Sequence, residues 1–208
     1  MNSSKSAQLI MTHHNFEQQG KKSLVFKSAR DTRQKMISSR ALNKEIEAVI
    51  VKPTENGKLF DYARGFWGME DIEFVFVDEV QFLTASQVEE LSAIVDEYNI
   101  DVICYGLLTD FQGNLFEGSK KLVEEADSIR EIKNQCFHCK NKAIRNVRLI
   151  DNNPVFEGEV VQVGAEESYR SVCRKCYKKM KEEAGHRHIA ASGVPSIVPA
   201  IENQKGVN

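Results

Sequence analysis

Apolar and polar residues alternate along this chain in helical and strand rhythms, and the pattern changes character once, near Glu131. Over residues 6–19, Ala7, Leu9, Ile10, His13, Phe16 and Glu17 recur near helical spacing, and Gly20 supplies a stop. Ser23-Leu24-Val25-Phe26-Lys27 then predicts a short buried strand, residues 46–51 a second one, and residues 56–67 a helix. The clearest strand is Ile72-Glu73-Phe74-Val75-Phe76-Val77, which closes on Asp78-Glu79. Thr84-Ala85-Ser86-Gln87 is a capping-box pattern, and it leads into Val88, Leu91, Ile94 and Val95 on the face of a helix. Residues 101–105 predict another strand and residues 115–129 another helix. Strands alternating with helices predict an α/β fold built on a doubly wound, mostly parallel sheet.

Past Glu131 the rhythm gives way to short extended pieces and turns such as Asp151-Asn152-Asn153-Pro154. This places one unit at residues 1–133 and a smaller one at 134–184. The segment 185–208, small and polar with Pro195 and Pro199, reads as a disordered tail. The smaller unit carries Cys136-Phe137-His138-Cys139, answered by Cys173-Arg174-Lys175-Cys176. Two Cys-x-x-Cys knuckles supply four thiolates for one tetrahedral zinc, and four protein ligands leave no open position for substrate. The metal is therefore expected to be structural. His138 is the alternative ligand within the first knuckle. Cys104, inside Val102-Ile103-Cys104-Tyr105, reads as a small core residue.

Bulk composition removes several classes of function. Lys+Arg 28 against Asp+Glu 30 gives a net charge of −2, so no global basic field exists to attract nucleic acid. No apolar run approaches the roughly 18 residues of a membrane span, and no signal segment opens the chain. Thiols laid out for a metal, without an export signal, point to the reducing cytosol, and a cytoplasmic protein is expected.

Two short segments point to phosphate. Ser3-Ser4-Lys5-Ser6 opens onto the first predicted helix, and Asp78-Glu79 ends the best strand. A Lys-Ser pair at a helix N-terminus matches the end of a P-loop, where backbone N–H groups cradle phosphates, Lys reaches the terminal ones and Ser holds Mg²⁺. A strand-end Asp is the usual second half of such a site. The full G-x-x-x-x-G-K-[ST] pattern is not met: Ser4 stands at its second Gly, and the first Gly, with the strand that delivers the loop, would precede Met1. The expectation is a P-loop domain whose first strand is missing.

These segments occur with Asp31-Thr32-Arg33, Ser38-Ser39-Arg40, Val77-Asp78-Glu79-Val80-Gln81-Phe82, Tyr105-Gly106-Leu107-Leu108-Thr109-Asp110-Phe111, and Gly164 to Tyr169 running into the second knuckle. In this order, from Met1 to about Tyr177, the chain resembles the type II thymidine kinases. The resemblance implies a P-loop kinase domain followed by a small zinc-anchored lasso domain. It also implies transfer of phosphate from ATP to the 5′-hydroxyl of thymidine, with Mg²⁺ and a structural Zn²⁺. Glu79 would be the general base and Arg33 would stabilise charge on the transferring group. Ser3, Ser4, Lys5, Ser6 and Asp78 would hold ATP and Mg²⁺. Met1, Asp31, Phe82, Leu107, Phe111, Val160, Gln162, Gly164 and Tyr169 would hold thymidine, and Cys136, Cys139, Cys173 and Cys176 the zinc. A homo-oligomer, commonly a tetramer, is implied as well.

Two other readings compete with an active kinase. One is a catalytically impaired relative that binds nucleoside or nucleotide without efficient transfer. The other is a zinc-ribbon nucleic-acid binder using Arg170, Arg174, Lys175, Lys178, Lys179 and Lys181, which the overall charge disfavours.

Overall fold

A computed structural model of the chain describes residues 4–28, 36–39, 41–66, 72–160 and 168–191. Helix α1 (Lys5–Gln18) leads into strand β1 (Lys22–Ser28), then β2 (Met36–Ser39), β3 (Lys44–Glu47) and β4 (Val49–Val51). Helix α2 (Lys58–Phe66), strand β5 (Ile72–Asp78), a 3₁₀ turn (Val80–Phe82), helix α3 (Ala85–Tyr98), strand β6 (Asp101–Cys104) and helix α4 (Glu117–Glu125) complete the larger unit. Its sheet runs β4-β1-β5-β6, and every pairing in it is parallel.

A parallel sheet with helices on both sides buries both faces of its central strands, which is why β5 is almost continuously apolar. Side chains alternate across the strand. Val75 and Val77 face Leu59 and Ala63 of α2 and Val88, Leu91 and Ile94 of α3. Phe74 and Phe76 face Leu9 and Ile10 of α1 and Ile37 of β2. The capping box forms as expected: Thr84 accepts from the Gln87 amide at 3.2 Å, and Gln87 Oε1 accepts from the Thr84 amide at 3.1 Å. Cys104 is partly buried against the larger core, and burial pushes its thiol up to about 12, so it is unreactive.

The structure departs from the sequence expectations in several places, among them β2, which was not expected. The single strand expected over 46–51 is two. Lys44-Glu45-Ile46-Glu47, polar except at Ile46, pairs antiparallel with β2, whereas the unbroken apolar triplet Val49-Ile50-Val51 enters the buried sheet beside β1. The helix expected over 115–129 is shorter, because Leu115 bridges Thr109 and Phe116 is already extended at φ −67° and ψ 149°. Finally, the backbone of helix α5 (Arg174–Ala191) runs past the boundary expected at residue 184.

The smaller unit consists of a β7 (Asn134–Gln135) and β8 (Lys142–Ala143) ribbon, then β9 (Arg145–Ile150), β10 (Asn153–Val155), β11 (Ser168–Val172) and α5. Strand β9 lies between β10 and β11, antiparallel to both. Its core gathers Val147, Leu149, Phe156, Val172 and Tyr177 around Cys136 and Cys173. Among the described residues no helix is long and apolar enough to cross a membrane.

Candidate active site

The site is built where the first helix begins and strand β5 ends. Ser4 is the N-cap of α1 at φ −70°, so its Cβ meets no backbone strain at the position where a P-loop commonly carries Gly. Lys5 follows, buried at 6% exposure, and a lysine this enclosed at a helix start is placed for an anion. The Ser6 hydroxyl donates to Asp78 Oδ2 at 3.2 Å, which joins the helix start to the strand end. Burial first, and the neighbouring Glu79 charge second, raise Asp78 to about 6, against the opposing pull of the Glu79 amide, Lys5 and Ser6. Two oxygens brought together at a buried acid suit a small hard cation such as Mg²⁺.

Glu79 is half-buried and takes the left-handed conformation, φ 55° and ψ 39°. Its amide donates to Asp78 Oδ1 at 3.0 Å, and its carboxylate accepts from the Gln81 side-chain amide. Gln81 is itself buried and accepts from the Leu107 amide at 3.0 Å. One glutamine therefore connects the candidate base to a candidate thymidine contact. Gly106 makes this possible, since a Cβ there would lie 2.6 Å from Val80 Cγ1 and 2.9 Å from Gln81 Oε1. Beyond it, Ser119 Oγ donates to the Leu107 carbonyl at 2.6 Å.

Lys5, Ser6, Asp78, Glu79 and Leu107 thus form one connected group. Phe82 packs edge-on against Phe116 at 5.9 Å, beside α4. Phe111 is buried in a turn that Asp110 holds by accepting from the Gln112 and Asn114 amides, each at 2.9 Å. Val160 and Tyr169 are half-buried in the smaller unit. Met1, Ser3, Asp31, Arg33, Gln162 and Gly164 lie outside the described residues. Gln81 has no role in the sequence reading, although it lies in the Val77-Asp78-Glu79-Val80-Gln81-Phe82 segment. Its position two residues after a strand-end Glu is the signal that could have found it.

The sulfurs of Cys136, Cys139, Cys173 and Cys176 all lie within 4.8 Å of one another. Cys139 Sγ is 3.7 Å from Cys173 Sγ and 3.8 Å from Cys176 Sγ. Sulfurs about 2.3 Å from a shared tetrahedral centre would stand about 3.8 Å apart, so the four fit zinc. The thiols do not ionise alike by themselves: contact with Cys173 first, then burial, pushes Cys176 up to about 12. A dication is what allows all four to act as thiolates. His138 is not in the cluster; its ring stands edge-on to Phe137. Lys178 and Lys179, two cations of the alternative nucleic-acid reading, pair with Glu182 and Glu183 along α5.

The family profile described as "Thymidine kinase" matches residues 1–177 of the chain. The chain is 44% identical over 188 residues to a thymidine kinase of Enterobacteria phage T4, covering 89% of this chain and 95% of that protein. It is 42% identical over 181 residues to a thymidine kinase of Lactococcus lactis subsp. lactis, covering 86% and 93% respectively. A thymidine kinase of Streptococcus thermophilus is 43% identical over 181 residues, covering 84% of this chain and 88% of its own.

Proposed function

The chain belongs to the thymidine kinase family, and we propose that it transfers the γ-phosphoryl group of ATP to the 5′-hydroxyl of thymidine. The observation that carries this reading is the connected group of Lys5, Ser6, Asp78 and Glu79, in which a buried cation, a hydroxyl and two carboxylates meet at one helix start. Phosphoryl transfer demands little covalent chemistry from a protein. It needs positioning, neutralisation of phosphate charge and one acceptor for the nucleophile's proton.

In this reading Glu79 accepts the 5′-hydroxyl proton, and the amide of Gln81 aims its carboxylate. Lys5 balances charge on the β- and γ-phosphates, and Arg33 stabilises the transferring group. Ser3 and Ser4 belong to the loop that faces ATP. Ser6 and Asp78 would hold Mg²⁺, which draws charge from the phosphate oxygens when bound. Thymidine is held by Phe82, Leu107, Phe111, Val160 and Tyr169, together with Met1, Asp31, Gln162 and Gly164. The kinase unit covers residues 1–133, and the zinc unit runs from residue 134 through helix α5, beyond the end expected at 184. A relative that merely bound nucleoside would have no use for a proton acceptor beside a buried lysine, so transfer is favoured over the impaired alternative. A homotetramer and a cytoplasmic setting complete the reading, supported by family membership; light scattering on the purified protein tests the assembly.

Glu79→Gln tests the chemistry. The amide keeps the shape of the carboxylate but cannot accept the proton, so kcat should fall by about 10²–10⁴ while thymidine affinity stays within a few-fold. A variant that keeps more than about a tenth of parental kcat would assign the base to another group.

A further inference from the structure

Arg148 has no role in the reading above, yet it is among the largest fully enclosed side chains of the described structure, at 2% exposure. Its guanidinium lies 4.2 Å above the ring centre of Phe111. Its edge donates twice, to the Glu159 carbonyl at 2.7 Å through Nη1 and to the Glu157 carbonyl at 3.0 Å through Nη2. The carbonyl between them, that of Gly158, accepts from Gln112 Nε2 at 3.2 Å. Three successive carbonyls are therefore held, two by β9 and one by the turn that carries Phe111. Gly158 has φ +100°, and a Cβ on it would come within 3.1 Å of Arg148 Nη2, so the arrangement also requires a glycine there. Across the β9–β11 ladder Arg148 is the register partner of Tyr169, so the two side chains leave the sheet on one face.

Phe111 and the backbone entering Val160 thus meet at one guanidinium, on the sheet face that Tyr169 shares. We propose that Arg148 is the positioning residue of the thymidine site: it sets the Phe111 ring and the backbone at residues 157–159 relative to each other without being a contact of the reacting atoms. The proposal rests on the thymidine kinase reading. A planar fork is what the geometry uses, because one face stacks while one edge reaches two carbonyls; an ammonium cannot do both. Burying a guanidinium requires that its N–H groups find acceptors, and here the acceptors are the backbone to be fixed.

The test compares the full chain with Arg148→Lys and Gln112→Ala, reading zinc content, kcat, both KM values, and thymidine affinity by calorimetry. Arg148→Lys should keep its zinc and raise KM and Kd for thymidine about tenfold, while KM for ATP changes less than about twofold. Gln112→Ala, which removes the neutral bond to Gly158 together with a longer one accepted from Asn114 Nδ2 at 3.4 Å, should raise the thymidine values about threefold. Unchanged thymidine affinity in a zinc-loaded Arg148→Lys protein overturns the proposal, as does an equal loss for both substrates. If Arg148→Lys loses its zinc, Gln112→Ala decides by the same criteria. If the parent binds thymidine but transfers no phosphate, the kinase reading fails and the calorimetric comparison still decides the role of Arg148. A parent that binds no thymidine overturns both.

Discussion

Glu79 accepts a left-handed backbone that costs a residue with a Cβ on the order of 1 kcal/mol, and the return is a carboxylate that turns back onto Gln81 rather than continuing along the strand. The acidic pair at the strand end was legible from the sequence, because an apolar run closing on two carboxylates is conspicuous. The glutamine was less so: it stands two residues after Glu79, but its second partner, Leu107, reaches it only when a distant part of the chain folds back. Asp78 carries a prediction of its own. Its folded-state value, about 6, lies above the ordinary 3.8 because burial disfavours the ionised form. The stability contributed by proton binding is thus fully present below about 3.8 and is lost as pH rises through about 6. A cation at Ser6 and Asp78 needs the opposite, ionised form. The Mg²⁺ concentration for half-maximal turnover should therefore rise as pH falls through about 6, approaching tenfold per unit. Titrations from about pH 5 to about pH 7 would check this, and a flat Mg²⁺ requirement across that range would remove Asp78 from the metal site.

Elements were legible where one local signal decided them. The capping box at Thr84 and Gln87 placed the start of α3 within the sequence itself. The split of residues 44–51 into two strands was not read, because both halves have strand character and only their different partners separate them. The start of α2 was misplaced for a related reason: its cap comes from another helix. Glu90 of α3 accepts from the amides of Gly57 at 2.6 Å, Leu59 at 3.1 Å and Phe60 at 3.4 Å. One carboxylate thereby satisfies donors that a helix start leaves open, and it also faces the positive end of the helix dipole. Glu90→Ala should lower stability by about 1–2 kcal/mol. The denaturation midpoint should fall with the slope unchanged, and kcat should be retained. An unshifted midpoint would mean that water caps α2 equally well.

At the scale of the molecule, the chain joins two units with different sources of order. The larger is held by a parallel sheet buried on both faces. The smaller has a short core in which two of the buried residues are cysteines, so its order depends on what binds them. The knuckle spacing made the four-cysteine cluster legible from sequence alone, whereas the connection between the units was not, because it runs through a carbonyl. Tyr177, in the first turns of α5 beside Cys176, donates its hydroxyl to the Phe111 carbonyl at 2.8 Å. A zinc held by the four cysteines would therefore orient α5, which carries Tyr177, and Tyr177 steadies the turn that presents Phe111. Purified protein should contain one zinc per chain. Removing it with a chelator, or replacing Cys173 by Ser, should weaken thymidine binding much more than ATP binding, since Lys5, Ser6 and Asp78 hang on the larger sheet instead. Metal analysis with calorimetry for each ligand measures both consequences. Zinc-free protein that binds thymidine as tightly as the parent, or that loses both ligands together, would show that the metal does not act through Tyr177 and Phe111.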